Sequence, residues 1–325
     1  MEMRNLGRTG LKVAALCLGG NVFGWSSDEA ASREALDAYM AGGGNFIDTA
    51  DIYSRWVEGH SGGESEAILG RWMQERGNRH QVVLATKAGG AMGDGPNDKG
   101  LSRAHLVAAV EDSLRRLRTD YIDLYQAHFD DPATPLDETL RAFDDLVRQG
   151  KVRYIGASNY SAWRLTRALW ESDRRGYVRF ESLQPYYNLA GREDYERELE
   201  PLCRDQQIGV IAYSSLASGF LSGKYRRGQP MPESARASGV ARRFMNDRGF
   251  TVLDAVERVA RTYDATPSQV ALAWLMARPG VTAPIAGATS ARQVEELLGA
   301  VELRLRPDDI KALDEASAWQ PASQG

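Results

Sequence analysis

Cysteine is scarce in this sequence: Cys17 and Cys203 are the two thiols among 325 residues. Two distant thiols cannot make a disulfide framework, and no CxxC offers a metal or redox pair, so a reducing, cytoplasmic setting is expected. Long apolar runs are missing as well. No stretch approaches the ~18 residues a membrane helix needs, and Met1 to Leu6 lack the apolar centre of a secretory signal. Nor is there an excess of one charge. The 40 Lys+Arg against 44 Asp+Glu leave a net −4, which argues against nucleic acid or an anionic membrane surface as main partner. No Ser/Gly/Pro linker or low-complexity tract divides the chain. With 43% hydrophobic and 26% charged residues, what remains is the profile of an ordinary globular protein.

What is present is a rhythm of short apolar stretches followed by helical patterns. After a hairpin turned at Gly7–Gly10, the apolar stretches fall at 15–19, 45–48, 82–86, 121–128, 152–157, 182–184, 208–213 and 281–286. The helical patterns fall at 32–40, 64–74, 102–117, 135–149, 162–171, 195–206 and 267–277, and one at 291–298 closes the series. In the third helix Val107, Val110, Leu114 and Leu117 share one face. Ser102 is placed as its N-cap, and Pro135 and Pro267 sit where first-turn prolines belong. The strands are apolar on both faces, as buried parallel strands are. Eight βα units read as one (β/α)₈ barrel domain over residues 1–325, an α/β fold with an N-terminal β-hairpin cap. A doubly wound open sheet is the competitor, weakened because no GxGxxG follows the first strand. One segment breaks the rhythm. From Tyr213 to about Thr251, where an additional helix begins, no periodicity shows. So long a loop after strand seven reads as a lid or binding loop.

In such a barrel the C-terminal strand ends form the mouth of the site. Reading them off gives Asp48 with Tyr53 five residues later, then Lys87, His128, Ser158-Asn159, Gln184 and Tyr213. Singly each has a bland explanation: a capping acid, a solvated lysine, a pocket-lining phenol. His60, His80 and His105, away from strand ends, read as surface or helix filler. The coincidence of acid, phenol, amine and imidazole on one rim points to a shared chemical role. No metal fits, since tyrosine and lysine are poor ligands and one His with one Asp falls short of a catalytic zinc set. No GxSxG supports triad hydrolysis. The four suit proton transfer to or from an oxygen. A phenol titrates near ~10. An ammonium ~4 Å away is worth about 4 kcal/mol at an effective dielectric of ~20, up to roughly three pKa units toward phenolate, with burial opposing it. The expected net shift is therefore a smaller one in that direction. Asp48 would hold Lys87 charged, and His128 would donate to a substrate oxygen. That is a carbonyl-reducing or alcohol-oxidising arrangement, whose hydride must come from a cofactor.

Over essentially its whole length the sequence resembles the aldo-keto reductases. Gly44-Asn45-Phe46-Ile47-Asp48-Thr49-Ala50-Asp51-Ile52-Tyr53 is similar to the family's GxNFxDTAxxY segment, and Gly63-Glu64-Ser65-Glu66 with Leu69-Gly70 to the helix start after it. Residues 121–128 resemble the strand that delivers the family histidine, and 150–159 its GKVRxIGxSN segment. The resemblance implies Tyr53 as general acid, Lys87 and Asp48 as its tuning pair, and His128 orienting the carbonyl. It implies nicotinamide binding without a Rossmann domain. Ser158, Asn159 and Gln184 would hold the carboxamide, and Tyr213 would stack on the ring. Residues 213–224 are similar to the family's pyrophosphate loop, with Ser214, Leu216, Ser218, Gly219 and Lys224 toward the phosphates. Ser215 stands where proline is usual, which leaves the loop freer. Residues 285–296 resemble the adenosine-end segment, with Gly287, Thr289, Arg292, Gln293 and Glu296 as contacts. A helix starting near Ser290 suits a 2′-phosphate, so NADP is expected over NAD. Gly287 and Leu297 depart from the lysine and asparagine of other branches. Of Arg226, Arg227, Arg236, Arg242 and Arg243, at most one or two are expected at the cofactor. Trp25, Trp56 and Phe129 are expected as apolar walls for a small carbonyl substrate, and the short tail Trp319–Gly325 as leaving that pocket permissive. Two rivals stand beside this reading. One is a nicotinamide-binding redox sensor or regulatory subunit, as in the potassium-channel β subunits. The other is a barrel hydrolase or lyase using Asp48 without nicotinamide.

Overall fold

Parallel strands covered on both faces must be apolar nearly throughout, and the eight that close the barrel here are. In the computed structural model, which describes residues 1–319, they are β3 (Cys17–Gly19), β4 (Phe46–Asp48), β5 (Val83–Ala88), β6 (Ile122–Ala127), β7 (Val152–Ser158), β8 (Phe180–Gln184), β9 (Gly209–Ala212) and β10 (Val281–Ala286). They pair in the order β10-β3-β4-β5-β6-β7-β8-β9, every neighbour parallel, and β10 closes on β3 through Ile285–Cys17 and Ala286–Leu18. Before them β1 (Met3–Asn5) and β2 (Lys12–Ala14) make an antiparallel hairpin. Leu6, Val13 and Ala14 from it pack with the inward-facing Phe46, Leu124 and Ile211, so the hairpin plugs the N-terminal end of the barrel. Its turn approaches the rim so closely that a Cβ on Gly7, at φ +56°, would lie 2.6 Å from the Glu181 carbonyl oxygen.

The remaining apolar core fills the layer between strands and helices. The helices are α1 (Glu29–Ala41), α2 (Glu64–Arg76), α3 (Arg103–Leu117), α4 (Leu136–Arg148), α5 (Ala162–Arg175), α6 (Glu193–Glu196), α7 (Leu199–Asp205), α8 (Ala237–Phe244), α9 (Asp247–Thr262), α10 (Pro267–Met276), α11 (Ala291–Glu302) and α12 (Pro307–Ala316). Ser102 caps α3 by accepting from the His105 amide, and Thr266 with Gln269 forms a capping box ahead of Pro267. His105 itself is buried at the head of α3, its ring Nδ1 3.1 Å from the Asn97 carbonyl oxygen.

Four sequence expectations need correction. Pro135 lies at the N-cap of α4, one residue before its first turn. The helix expected over 195–206 is split into α6 and α7, because Pro201 has no N–H to donate and its ring excludes a helical carbonyl four residues back. The series does not close at α11; α12 follows, with Pro307, Asp308 and Asp309 in its first turn. The stretch after β9 is not structureless. It holds a 3₁₀ segment, Ala217–Ser222, and the short α8, anchored where Phe220 packs on Phe244 and Phe250 at 5.7 and 5.9 Å. Helices this short show too few turns for periodicity to register. Residues 320–325, most of the tail expected to leave the substrate pocket open, lie outside the described residues. Among the described residues no helix is long and apolar enough to cross a membrane. Both cysteines are buried and free.

Candidate active site

Alternation along the strands builds the site. On β4, Phe46 faces the hairpin plug and Asp48, two residues on, faces the open end; Ala85 and Lys87 repeat this on β5, and Leu124 and Gln126 on β6, with His128 just past its end. The turn after β4 returns Tyr53 over them. Lys87 is fully buried and donates from Nζ to Asp48 Oδ2 at 2.6 Å, to the Thr49 carbonyl oxygen at 2.7 Å and to the Tyr53 hydroxyl at 2.9 Å. The His128 and Tyr53 rings meet edge-on with centroids 6.1 Å apart.

Burial opposes charge on Lys87, but Asp48 and Tyr53 outweigh it and raise its pKa, so the ammonium persists. Tyr53 departs from the expectation. Burial acts more strongly than the Lys87 charge, and Asp48 works against that charge, so the phenol is pushed up to about 12 rather than toward phenolate. His128 is held well below the usual imidazole range by burial and by Lys87, which keeps it neutral.

Beside these lies an amide cluster. Gln184 Nε2 donates to Asp48 Oδ1 at 2.8 Å. Ser158 Oγ donates to the Gln184 carbonyl oxygen at 2.8 Å, and Asn159 Nδ2 donates to the His128 carbonyl oxygen at 2.9 Å. The Tyr213 hydroxyl donates to Asn159 Oδ1 at 2.9 Å. Asn159 adopts φ +57°, as do Ser214, Ala217 and Ser218 at +55°, +49° and +59°. Strained non-glycine backbone concentrated at one mouth is a mark of a functional site.

A family profile described as the aldo/keto reductase family matches residues 15–318. The chain belongs to this family. It is 38% identical to the uncharacterized oxidoreductase YrpG of Bacillus subtilis, over 97% of this chain and 95% of that protein. It is 36% identical to a putative voltage-gated potassium channel subunit beta of Schizosaccharomyces pombe, over 99% and 94%, and 33% identical to the versiconal hemiacetal acetate reductase of Aspergillus parasiticus, over 97% and 96%.

As an aldo/keto reductase the protein is an oxidoreductase that uses NAD(P)H. A groove of about 1120 Å³ runs across its open end, larger than a small carbonyl compound needs. Asp48, Tyr53 and His128 form its floor, with Lys87 beneath. Ser158, Asn159, Gln184 and Tyr213 line one stretch of it. Ser214, Leu216, Ser218, Gly219 and Lys224 line it as well, as do Gly287, Thr289, Gln293 and Glu296. Arg292 does not line the groove; it lies exposed in the first turn of α11. Trp25 and Trp56 meet edge-on at 5.5 Å, and Phe129 stacks on His128 at 4.4 Å, both pairs lining the groove. Ser215 is buried and donates from Oγ to the Ala212 carbonyl oxygen, so it ties down the loop that the missing proline was expected to free.

Two residues of the reductase's site have no individual role in the sequence reading, Arg236 in the groove and Gln126 beside Asp48. Arg236, one of five arginines without individual assignment, sits with its guanidinium 5.2 Å from the Trp25 ring centroid and one nitrogen, Nη2, buried without a partner. Burial lowers its pKa, and burial with the Arg236 charge lowers that of Lys224. Two crowded cations and the left-handed backbone of residues 217–219 suit phosphate oxygens, so the groove's own residues fit a dinucleotide. Gln126 also supports Asp48. Its place two residues before His128 was legible from strand alternation.

Proposed function

We propose that this reductase converts aldehydes and ketones to alcohols with NADPH, and that Tyr53, Lys87, Asp48 and His128 carry the proton chemistry. Supporting it is one observation above the rest: a protonated phenol held 2.9 Å from a buried, permanently charged lysine on the groove floor. When bound, the nicotinamide supplies the hydride. The carbonyl oxygen lies between the Tyr53 hydroxyl and the imidazole. His128 Nδ1 is buried without a partner, so the neutral ring carries its hydrogen on Nε2 and donates it to that oxygen. Tyr53 gives up its proton as charge builds there, and the Lys87 ammonium stabilises the phenolate left behind. Asp48 keeps Lys87 aimed. Ser158, Asn159 and the side-chain oxygen of Gln184 would meet the carboxamide, Tyr213 would cover the ring, and the loop from Ser214 with Lys224 and Arg236 would hold the pyrophosphate. The N-terminus of α11, where Thr289 and Gln293 line the groove, favours a 2′-phosphate.

The test is consumption of reduced nicotinamide, followed by its near-ultraviolet absorbance, with an activated aromatic aldehyde and NADPH or NADH supplied separately. We expect turnover with NADPH the better donor, and Tyr53→Phe should lower kcat by about 10²–10⁴-fold. A Tyr53→Phe variant as fast as the parent would refute the assignment. The relatives named as potassium channel β subunits favour a second reading, a nicotinamide-holding redox sensor. Tight NADPH binding with no turnover across several carbonyls would select it.

A further inference from the structure

Gln126 is fully buried at the centre of the barrel and touches the catalytic chain without lining the groove. Its Nε2 is 3.3 Å from Asp48 Oδ1 and its Oε1 3.3 Å from Gln184 Nε2, which donates to the same carboxylate oxygen. A carboxylate only accepts, so both amides must turn nitrogen toward it. The Gln126 carbonyl oxygen is then left to accept from Gln184. Gly156 opposite leaves room for this pose, since a Cβ there would meet Gln126 Cγ at 3.2 Å.

We propose that Gln126 is a positioning residue for Tyr53, acting through Asp48 and Lys87. The argument begins with the two oxygens of Asp48. Oδ2 is taken by Lys87 and lies 3.5 Å from the Tyr53 hydroxyl. Oδ1 faces the barrel interior, where among the described residues no second cation pairs with it, and a buried half-charge without donors is costly. Two amides supply those donors. They are not equivalent. Gln184 lines the groove, so any turn of its amide toward a bound carboxamide draws its N–H away from Asp48. Gln126 cannot be recruited from the groove. It keeps one donor on Oδ1 whatever occupies the site, so Oδ2 stays on Lys87 and the ammonium stays on the phenol.

The inference rests on the reductase reading for the reaction being served, and its test separates the two. Gln126→Met removes the donor at nearly constant volume, while Gln126→Glu keeps the shape and donates only when protonated. For Gln126→Met we expect kcat to fall about 10- to 100-fold at every pH, the scale of a hydrogen bond to a charged group. KM and the NADPH affinity from fluorescence quenching should stay unchanged. For Gln126→Glu, kcat should approach the parent value on acidification and collapse as the introduced carboxyl ionises beside Asp48. A folded Gln126→Met with the parental kcat, or two variants with the same pH-independent loss, overturns the proposal. If Gln126→Met does not fold, the pH dependence of Gln126→Glu decides alone. Absence of turnover in the parent protein with every carbonyl instead overturns the reductase reading. The ¹³C resonance of the Asp48 carboxyl then decides the positioning role: a shift in Gln126→Met supports it and an unmoved signal overturns it.

Discussion

At the scale of single residues, the site separates a proton donor from the charge that prepares it for loss. Tyr53 at about 12 is fully protonated through neutral pH, which suits reduction, and His128 stays neutral above the acid range. The two directions should therefore differ in pH dependence. Carbonyl reduction should be nearly flat from slightly acid to mildly alkaline pH. Alcohol oxidation, which needs the phenolate, should climb roughly tenfold per pH unit toward the Tyr53 value. Initial rates in both directions across a pH series check this, and an oxidation rate independent of pH would contradict it. A second residue deserves its own experiment. Asp51 is fully buried, neither carboxylate oxygen has a partner, and burial with the nearby Glu66 raises its pKa well above the usual value. A carboxyl raised in the folded state stabilises fully below its unfolded pKa and loses that contribution as pH rises. Asp51→Asn lacks this dependence, so its Tm relative to the parent should increase as pH rises from about 4 toward neutrality. A constant difference would mean that Asp51 is ionised.

At the scale of elements, packing overrides local preference. Gly70 lies inside α2, where alanine would ordinarily favour the helix by about 1 kcal/mol. A Cβ there would sit 2.2 Å from the Arg116 carbonyl oxygen and 2.7 Å from the Leu117 carbonyl carbon, both backbone atoms of α3's last turn. Gly70→Ala should therefore destabilise, by about 1–3 kcal/mol net in urea unfolding. The same contest explains how the elements read from sequence. Ser102 as the cap of α3 and Pro267 in the first turn of α10 were legible because such signals act locally, whereas the Thr266–Gln269 box went unread. The break between α6 and α7 was also local, written in Pro201, and was passed over. The fold of α8 was not legible, because it depends on Phe220, Phe244 and Phe250 meeting across the turn after β9.

For the whole molecule, closing the barrel takes ionisable groups out of water. Tyr53 and Cys203 are each raised to about 12 from ordinary values of 10.0 and 9.0, and Cys17, Tyr39 and Tyr125 are raised well above theirs, all chiefly by burial. Each contributes stability that is fully present below its unfolded pKa and lost as pH rises toward the folded one. Thermal stability should accordingly decline between pH 9 and about 12, earlier than surface titration alone would bring about. Scanning calorimetry through that range checks it, and a flat Tm would show that these groups remain hydrated.

The order of the eight barrel strands, the hairpin, and the catalytic candidates Asp48, Tyr53, Lys87 and His128 followed from sequence alone. Periodicity fixes which residues face inward, and a barrel turns inward-facing strand ends into neighbours. Distances and balances did not follow. Whether the Lys87 charge or burial would govern Tyr53 depends on how much water the closed barrel excludes. The approach of Arg236 to Trp25 depends on how the insertion after β9 folds back across the groove. Arg292 stays outside the groove because α11 presents that side of its first turn to solvent. Each of these is set by contacts between segments far apart in the chain, and only the tertiary structure decides them.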